Sequence, residues 1–77
     1  MNPIRYIRKK VFQETQAGFA ALAGVSQAAV SRWESGIAPT ADDLQRIRAA
    51  AVERGIDWND TWFFEVPGAA AESADAA

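Results

Sequence analysis

Two helix-start residues eleven positions apart, Thr15 and Ser26, with a glycine shortly before the second, constrain this chain more than any other feature in it. A Ser or Thr hydroxyl caps a helix by accepting hydrogen bonds from the open backbone N–H groups of the first turn. After Thr15, the apolar residues Phe19, Ala20, Leu22 and Ala23 recur at helical spacing, and Gly24 can take the left-handed conformation that closes a helix. Val25 stands as an apolar plug in the turn. Ser26 then opens a second helix whose inward positions are Val30 and Trp33. Residues 15 to 36 therefore read as two short helices folded around a glycine turn.

The outward side of the second helix carries Gln27, Ala28, Ser31, Arg32 and Ser35, a set that is small, polar and mostly uncharged. Its only acid, Glu34, lies beside Trp33 on the inward-turning side. Such a surface fits a DNA major groove, about 12 Å wide, where hydrogen bonds to base edges carry sequence information. Arg32 can offer a fork to guanine O6 and N7, Gln27 can pair with adenine N6 and N7, and Ala28 can touch a thymine methyl, with Ser31 as a further base contact. The two helix starts, with Thr15, Gln16 and Ser26, and Ser35 at the far end, are expected to meet phosphates.

This block resembles the Cro and phage-repressor (XRE-type) family of helix-turn-helix proteins, including its frequent run of Ser, Arg, aromatic, Glu, any residue, Gly, seen as Ser31-Arg32-Trp33-Glu34-Ser35-Gly36. The resemblance covers roughly residues 4 to 62. It implies an all-α, compact five-helix domain of the lambda-repressor-like type and a backbone contact by Gln16. It also implies an ion pair between Glu34 and helix 1, with Arg8 favoured over Lys9, and a two-fold dimer contact after the fourth helix. Two departures stand out. Gly18 replaces a polar helix former at about 1 kcal/mol relative to Ala, which predicts a locally soft helix. The link Phe12-Gln13-Glu14 is about one residue longer than usual.

The remaining elements follow from caps and periodicity. Asn2-Pro3 starts a first helix, with Asn as cap and Pro in the first turn; Ile4, Ile7 and Val11 mark its inner face to about residue 12. Thr40 with Asp43 is a capping-box variant opening a fourth helix, which turns Leu44, Ile47 and Ala51 inward and stops near Gly55. Asp57 is expected to cap a last short helix over residues 58 to 64. That helix would hold four of the eight aromatic residues, with Trp58 packed under the fourth helix and Trp62, Phe63 and Phe64 forming a dimer patch. Residues 1–67 form the domain. Residues 68–77, made of alanine, serine, glycine and acids, cannot bury enough surface to offset their ordering entropy and are expected to be a disordered tail.

Seventy-seven residues make one domain, burying only about 60% of the surface its unfolded chain exposes. No cysteine or histidine is present, which excludes disulfides and the usual zinc sites, and no cofactor is expected. Asp42 and Asp43 are neighbours that do not share a helix face and suit a helix start, so neither catalysis nor a metal is assigned to them. Ser31 has no histidine to activate it, and an enzyme is not expected. No apolar run approaches membrane length, no signal-peptide block follows the basic start, no small-molecule ligand is evident, and a cytoplasmic protein is expected. The net charge of −2 divides unevenly: residues 1 to 36 carry five basic and two acidic groups, and residues 37 to 77 carry three and eight. This puts a basic face, including Arg5, Arg8, Lys9 and Lys10, on the first helices. Five cations are few for a DNA binder, so two copies are expected to act together on double-stranded DNA.

The reading that follows is a sequence-specific transcriptional regulator, a prophage- or plasmid-type repressor binding a two-fold operator as a homodimer. The alternative is a protein-interaction module, antitoxin-like or adaptor, gripping its partner through the aromatic C-terminal segment.

Overall fold

Asn2 begins the first helix, α1 (Pro3–Tyr6), by accepting the Arg5 N–H on Oδ1 at 2.8 Å, with Pro3 in the first turn, where its missing N–H costs nothing. The computed structural model describes residues 2–66, and the expected tail at 68–77 lies outside them. α1 runs without interruption into a π-helical stretch, Ile7–Phe12, in which hydrogen bonds span five residues instead of four. The wider turn changes which side chains face inward. Phe12, five residues after Ile7, is buried, while Val11, expected on the inner face from the four-residue repeat, is only half-buried. The extra residue expected in the link thus sits largely inside the helix. Gln13 closes it in the left-handed conformation at φ 57°, and both Gln13 and Glu14 return their N–H groups to the Arg8 carbonyl.

α2 (Gln16–Ala23) and α3 (Gln27–Glu34) follow, then α4 (Ala41–Glu53), whose reciprocal capping box between Thr40 and Asp43 is fully formed at 3.1 Å in both directions. Phe19, Ile7, Ile47 and Val30 are the large side chains most completely enclosed. Around them Ala20, Ala23, Ala50 and Ala51 are buried, and their small volume lets α2 approach both α3 and α4 closely. Beside Gly18 lies the flexible end of the Glu14 side chain, which folds back over the helix start and binds Arg54 at 3.1 Å; a Cβ at 18 would only have to push that end aside.

The fifth element departs from expectation. It is a single 3₁₀ turn, Asp60–Phe63, and its cap is Asn59, whose Oδ1 accepts from the Thr61 N–H at 3.0 Å; Asp57 does not cap it. Trp58 is half-buried against the core. Its ring neighbours are Phe12 at 6.5 Å, Trp62 at 5.2 Å and Phe63 at 5.0 Å, and Trp62 in turn meets Tyr6 at 6.2 Å. The aromatic segment is therefore strapped along helix 1, where the π turn places the buried Phe12 between Trp58 and Phe19, the latter edge-on at 5.3 Å. Asp60 fastens the strap, accepting from Trp58 Nε1 at 2.9 Å and pairing with Arg48 of α4 at 3.5 Å. The described residues are all-helical, without a strand.

Candidate nucleic-acid interface

The turn between α2 and α3 is built as its residue types require. Gly24 takes φ 69°, where a side chain would be strained, and the Val25 N–H reaches back to the Ala20 carbonyl at 3.0 Å. Val25 is half-buried against the core. Thr15 Oγ1 accepts from the Gly18 N–H at 3.0 Å, and Ser26 Oγ from the Ala29 N–H at 3.1 Å. Both hydroxyls are spent as acceptors, but each keeps its O–H as a donor.

α3 sorts its residues by face. Val30 and Trp33 are buried; Gln27, Ala28, Ser31, Arg32 and Ser35 are all exposed. The four expected base-contact residues thus share one open surface. Ser35 Oγ donates to the Arg32 carbonyl at 2.8 Å, tightening the helix end.

Glu34, the acid of α3, is held away from that surface. Arg8 donates from Nε to Oε2 at 2.6 Å and from NH2 to Oε1 at 3.0 Å, a bidentate pair with both side chains 9% exposed. Arg8 also donates to the Glu14 carbonyl at 3.0 Å, and Gln16 Nε2 reaches Glu34 Oε1 at 3.5 Å. Burial pushes the Glu34 carboxyl up, but the hydrogen bond and charge of Arg8, helped by Gln16 and Arg5, bring it below the ordinary carboxylate value. The hydrogen bond to Glu34 raises Arg8 against the opposing effect of burial. Arg8 is therefore a structural cation and not part of the open basic face, which keeps Arg5, Lys9 and Lys10 exposed on helix 1. The ion pair cancels internally, so the surface charge of residues 1 to 36 keeps its positive sign.

Sequence reasoning missed one contact here. Asn2 Nδ2 donates to the Trp33 carbonyl at 2.9 Å, so the residue that caps α1 also binds the end of α3. Nothing in the local pattern of Asn2-Pro3 signals a partner thirty-one residues away.

A helix-turn-helix fixed by a left-handed glycine, with an acid-free open face on its second helix and the acid of that helix neutralised from behind, now meets an independent finding. Residues 15–51 match the family model described as Helix-turn-helix. Over that span the chain is similar to DNA-binding, Cro/C1-type helix-turn-helix domains. The matched span takes in α2, α3 and most of α4, while helix 1 and the aromatic strap of this helix-turn-helix protein lie outside it. Neither the curated proteins nor the solved structures gave a significant match. Of the residues expected at its dimer contact, Trp62 and Phe63 are half-buried in the intramolecular aromatic cluster and Phe64 is 76% exposed. Among the described residues, no helix is long and apolar enough to cross a membrane.

Proposed function

We propose that this helix-turn-helix protein is a sequence-specific transcriptional regulator, a prophage- or plasmid-type repressor that acts in the cytoplasm and reads a two-fold operator with α3 in the major groove. The observation that carries this reading is the exposed, acid-free set Gln27, Ala28, Ser31 and Arg32 on a helix anchored by Val30 and Trp33. Arg32 offers a bidentate fork to guanine, Gln27 a pair of bonds to adenine, Ala28 a methyl contact and Ser31 a hydroxyl to an adjacent base edge. Thr15, Gln16, Ser26 and Ser35 position the domain on phosphates. Gln16 stands at the N-terminus of α2, where open N–H groups favour an anion, and its bond to Glu34 orients its amide there.

Selection of bound sequences from a random DNA pool tests this directly. A selected site should lose about 1 to 3 kcal/mol of affinity with Arg32→Ala, with preference relaxed at one base position. Equal losses on selected and random DNA would make Arg32 a phosphate contact, and failure to enrich any sequence would overturn the reading. The exposed Phe64 and Ile37 favour a second reading, a protein-interaction module. Recovery of a stable protein partner together with absence of DNA enrichment would support it.

A further inference from the structure

One groove of about 540 Å³ gathers the start of helix 1, the end of α3, the α3–α4 turn and the aromatic strap, through residues that include Pro3, Trp33, Ile37, Leu44 and Phe64. Ile37 and Phe64, 57% and 76% exposed, give it an apolar rim open to solvent. None of the eleven lining residues is charged, in a chain with 23% charged residues. No local sequence pattern signals such a site, because its lining comes from four separate segments.

Only two of the lining side chains carry a polar atom, Asn2 and Trp33. Asn2 is already engaged through both ends of its amide, with Oδ1 on the Arg5 N–H and Nδ2 on the Trp33 carbonyl. Trp33 differs. Trp58 gives its indole N–H to Asp60 at 2.9 Å, whereas the Trp33 indole N–H has no hydrogen-bond partner among the described residues. It is not sealed in the core either, since no enclosed side-chain nitrogen or oxygen among those residues lacks a partner. On a ring only 6% exposed, an N–H that is neither bonded nor enclosed faces out where the ring borders the groove.

We propose that this groove binds a small uncharged molecule, an apolar body bearing a carbonyl-type acceptor that takes the Trp33 N–H. The volume lies within the roughly 300 to 1,000 Å³ of small-molecule sites, whereas eleven lining residues fall short of the roughly 20 to 30 a side of a standard protein interface. An ion would give up its hydration with no opposite charge to meet, which selects neutral ligands. A purely apolar ligand would take water away from the indole N–H and return nothing, which selects an acceptor. The reading face stays clear. At about 100° per residue, Gln27, Ala28 and Ser31 lie roughly 120° to 160° around α3 from Trp33, so an occupied groove leaves them free for DNA. This separation alone rests on the DNA-binding reading.

Acetophenone serves as the probe, with ethylbenzene, which lacks the acceptor, and benzoate, which adds a charge, as matched controls. The indole N–H resonances of Trp33, Trp58 and Trp62 report separately in proton–nitrogen correlation spectra. Acetophenone should move the Trp33 resonance saturably, with an affinity several-fold above that of ethylbenzene, while benzoate leaves it in place. Trp33→Phe, which keeps an apolar ring and removes the N–H, should bring acetophenone down to the ethylbenzene level, read on the Ile37 methyl resonances. The wild-type comparison decides the matter even if this variant folds poorly. Equal affinities for acetophenone and ethylbenzene, shifts as large at Trp58 and Trp62 as at Trp33, or no saturation within the solubility of the probe would overturn the site. The same titration on protein bound to selected DNA should give the same shift, and its loss would overturn the separation of the two surfaces. A saturable Trp33 shift in a protein that selects no DNA would keep the site and sink the regulator reading.

Discussion

A single carboxylate carries an unusual share of this domain's organisation. Glu34 receives both arms of Arg8 and the amide of Gln16, so one side chain holds helix 1, α2 and α3 to each other. Removing one partner of a buried pair strands the other, and Glu34→Ala or Arg8→Ala should each lower the unfolding free energy by about 3 kcal/mol in urea titrations. The double replacement Arg8→Met with Glu34→Leu should recover most of that loss, since it leaves no lone charge. The pH dependence has a defined sign. Glu34 is held below its unfolded value, so its contribution is complete above the ordinary carboxylate pKa of about 4.3 and disappears as pH falls through the lower, folded value. Glu34→Gln should therefore flatten the decline of stability between about pH 5 and 3; an unchanged slope would remove Glu34 from the account. The partner was legible only through likeness to a family, because no local spacing ties residue 8 to residue 34. Asn2 had no such guide, and its bond to Trp33 went unseen.

Among the elements, the caps were readable in advance because each is a short-range exchange between a side chain and the backbone three residues on: Asn2, Thr15, Ser26 and Thr40 all behave this way. The π stretch was not, because a repeat counted in steps of three and four selects Val11 where the structure buries Phe12. The last cap was also misplaced: Asn59 caps the final turn where Asp57 was expected. Gln13 holds a left-handed conformation that costs a side-chain-bearing residue about 1 kcal/mol or more. Gln13→Gly should raise stability by about 0.5 to 1 kcal/mol, and a loss would mean that its side chain has an unrecognised partner. Trp62→Ala should destabilise the monomer by about 2 kcal/mol by emptying its place against Tyr6 and Trp58, a change visible in thermal unfolding of dilute protein without DNA.

At the scale of the whole molecule, charge limits how the domain can hold DNA. With Arg8 committed internally, residues 1 to 36 leave Arg5, Lys9, Lys10 and Arg32 exposed. Each neutralised phosphate contributes about −0.9 to the slope of log affinity against log salt, so one protomer should give a slope no steeper than about −4 and two no steeper than about −7. Fluorescence anisotropy over a salt series measures this directly, and a steeper value would require cations from α4. The tie between Arg8 and Glu34 also sets the boundary of what can be transplanted. The recognisable segment, residues 15–51, is not a self-sufficient part. Cut out and grafted into another protein it would leave the Glu34 carboxylate facing an empty place and the end of α3 without the Asn2 amide. A chimera that is to inherit the reading specificity must therefore carry residues 2 to 14 as well, although none of them need touch a base.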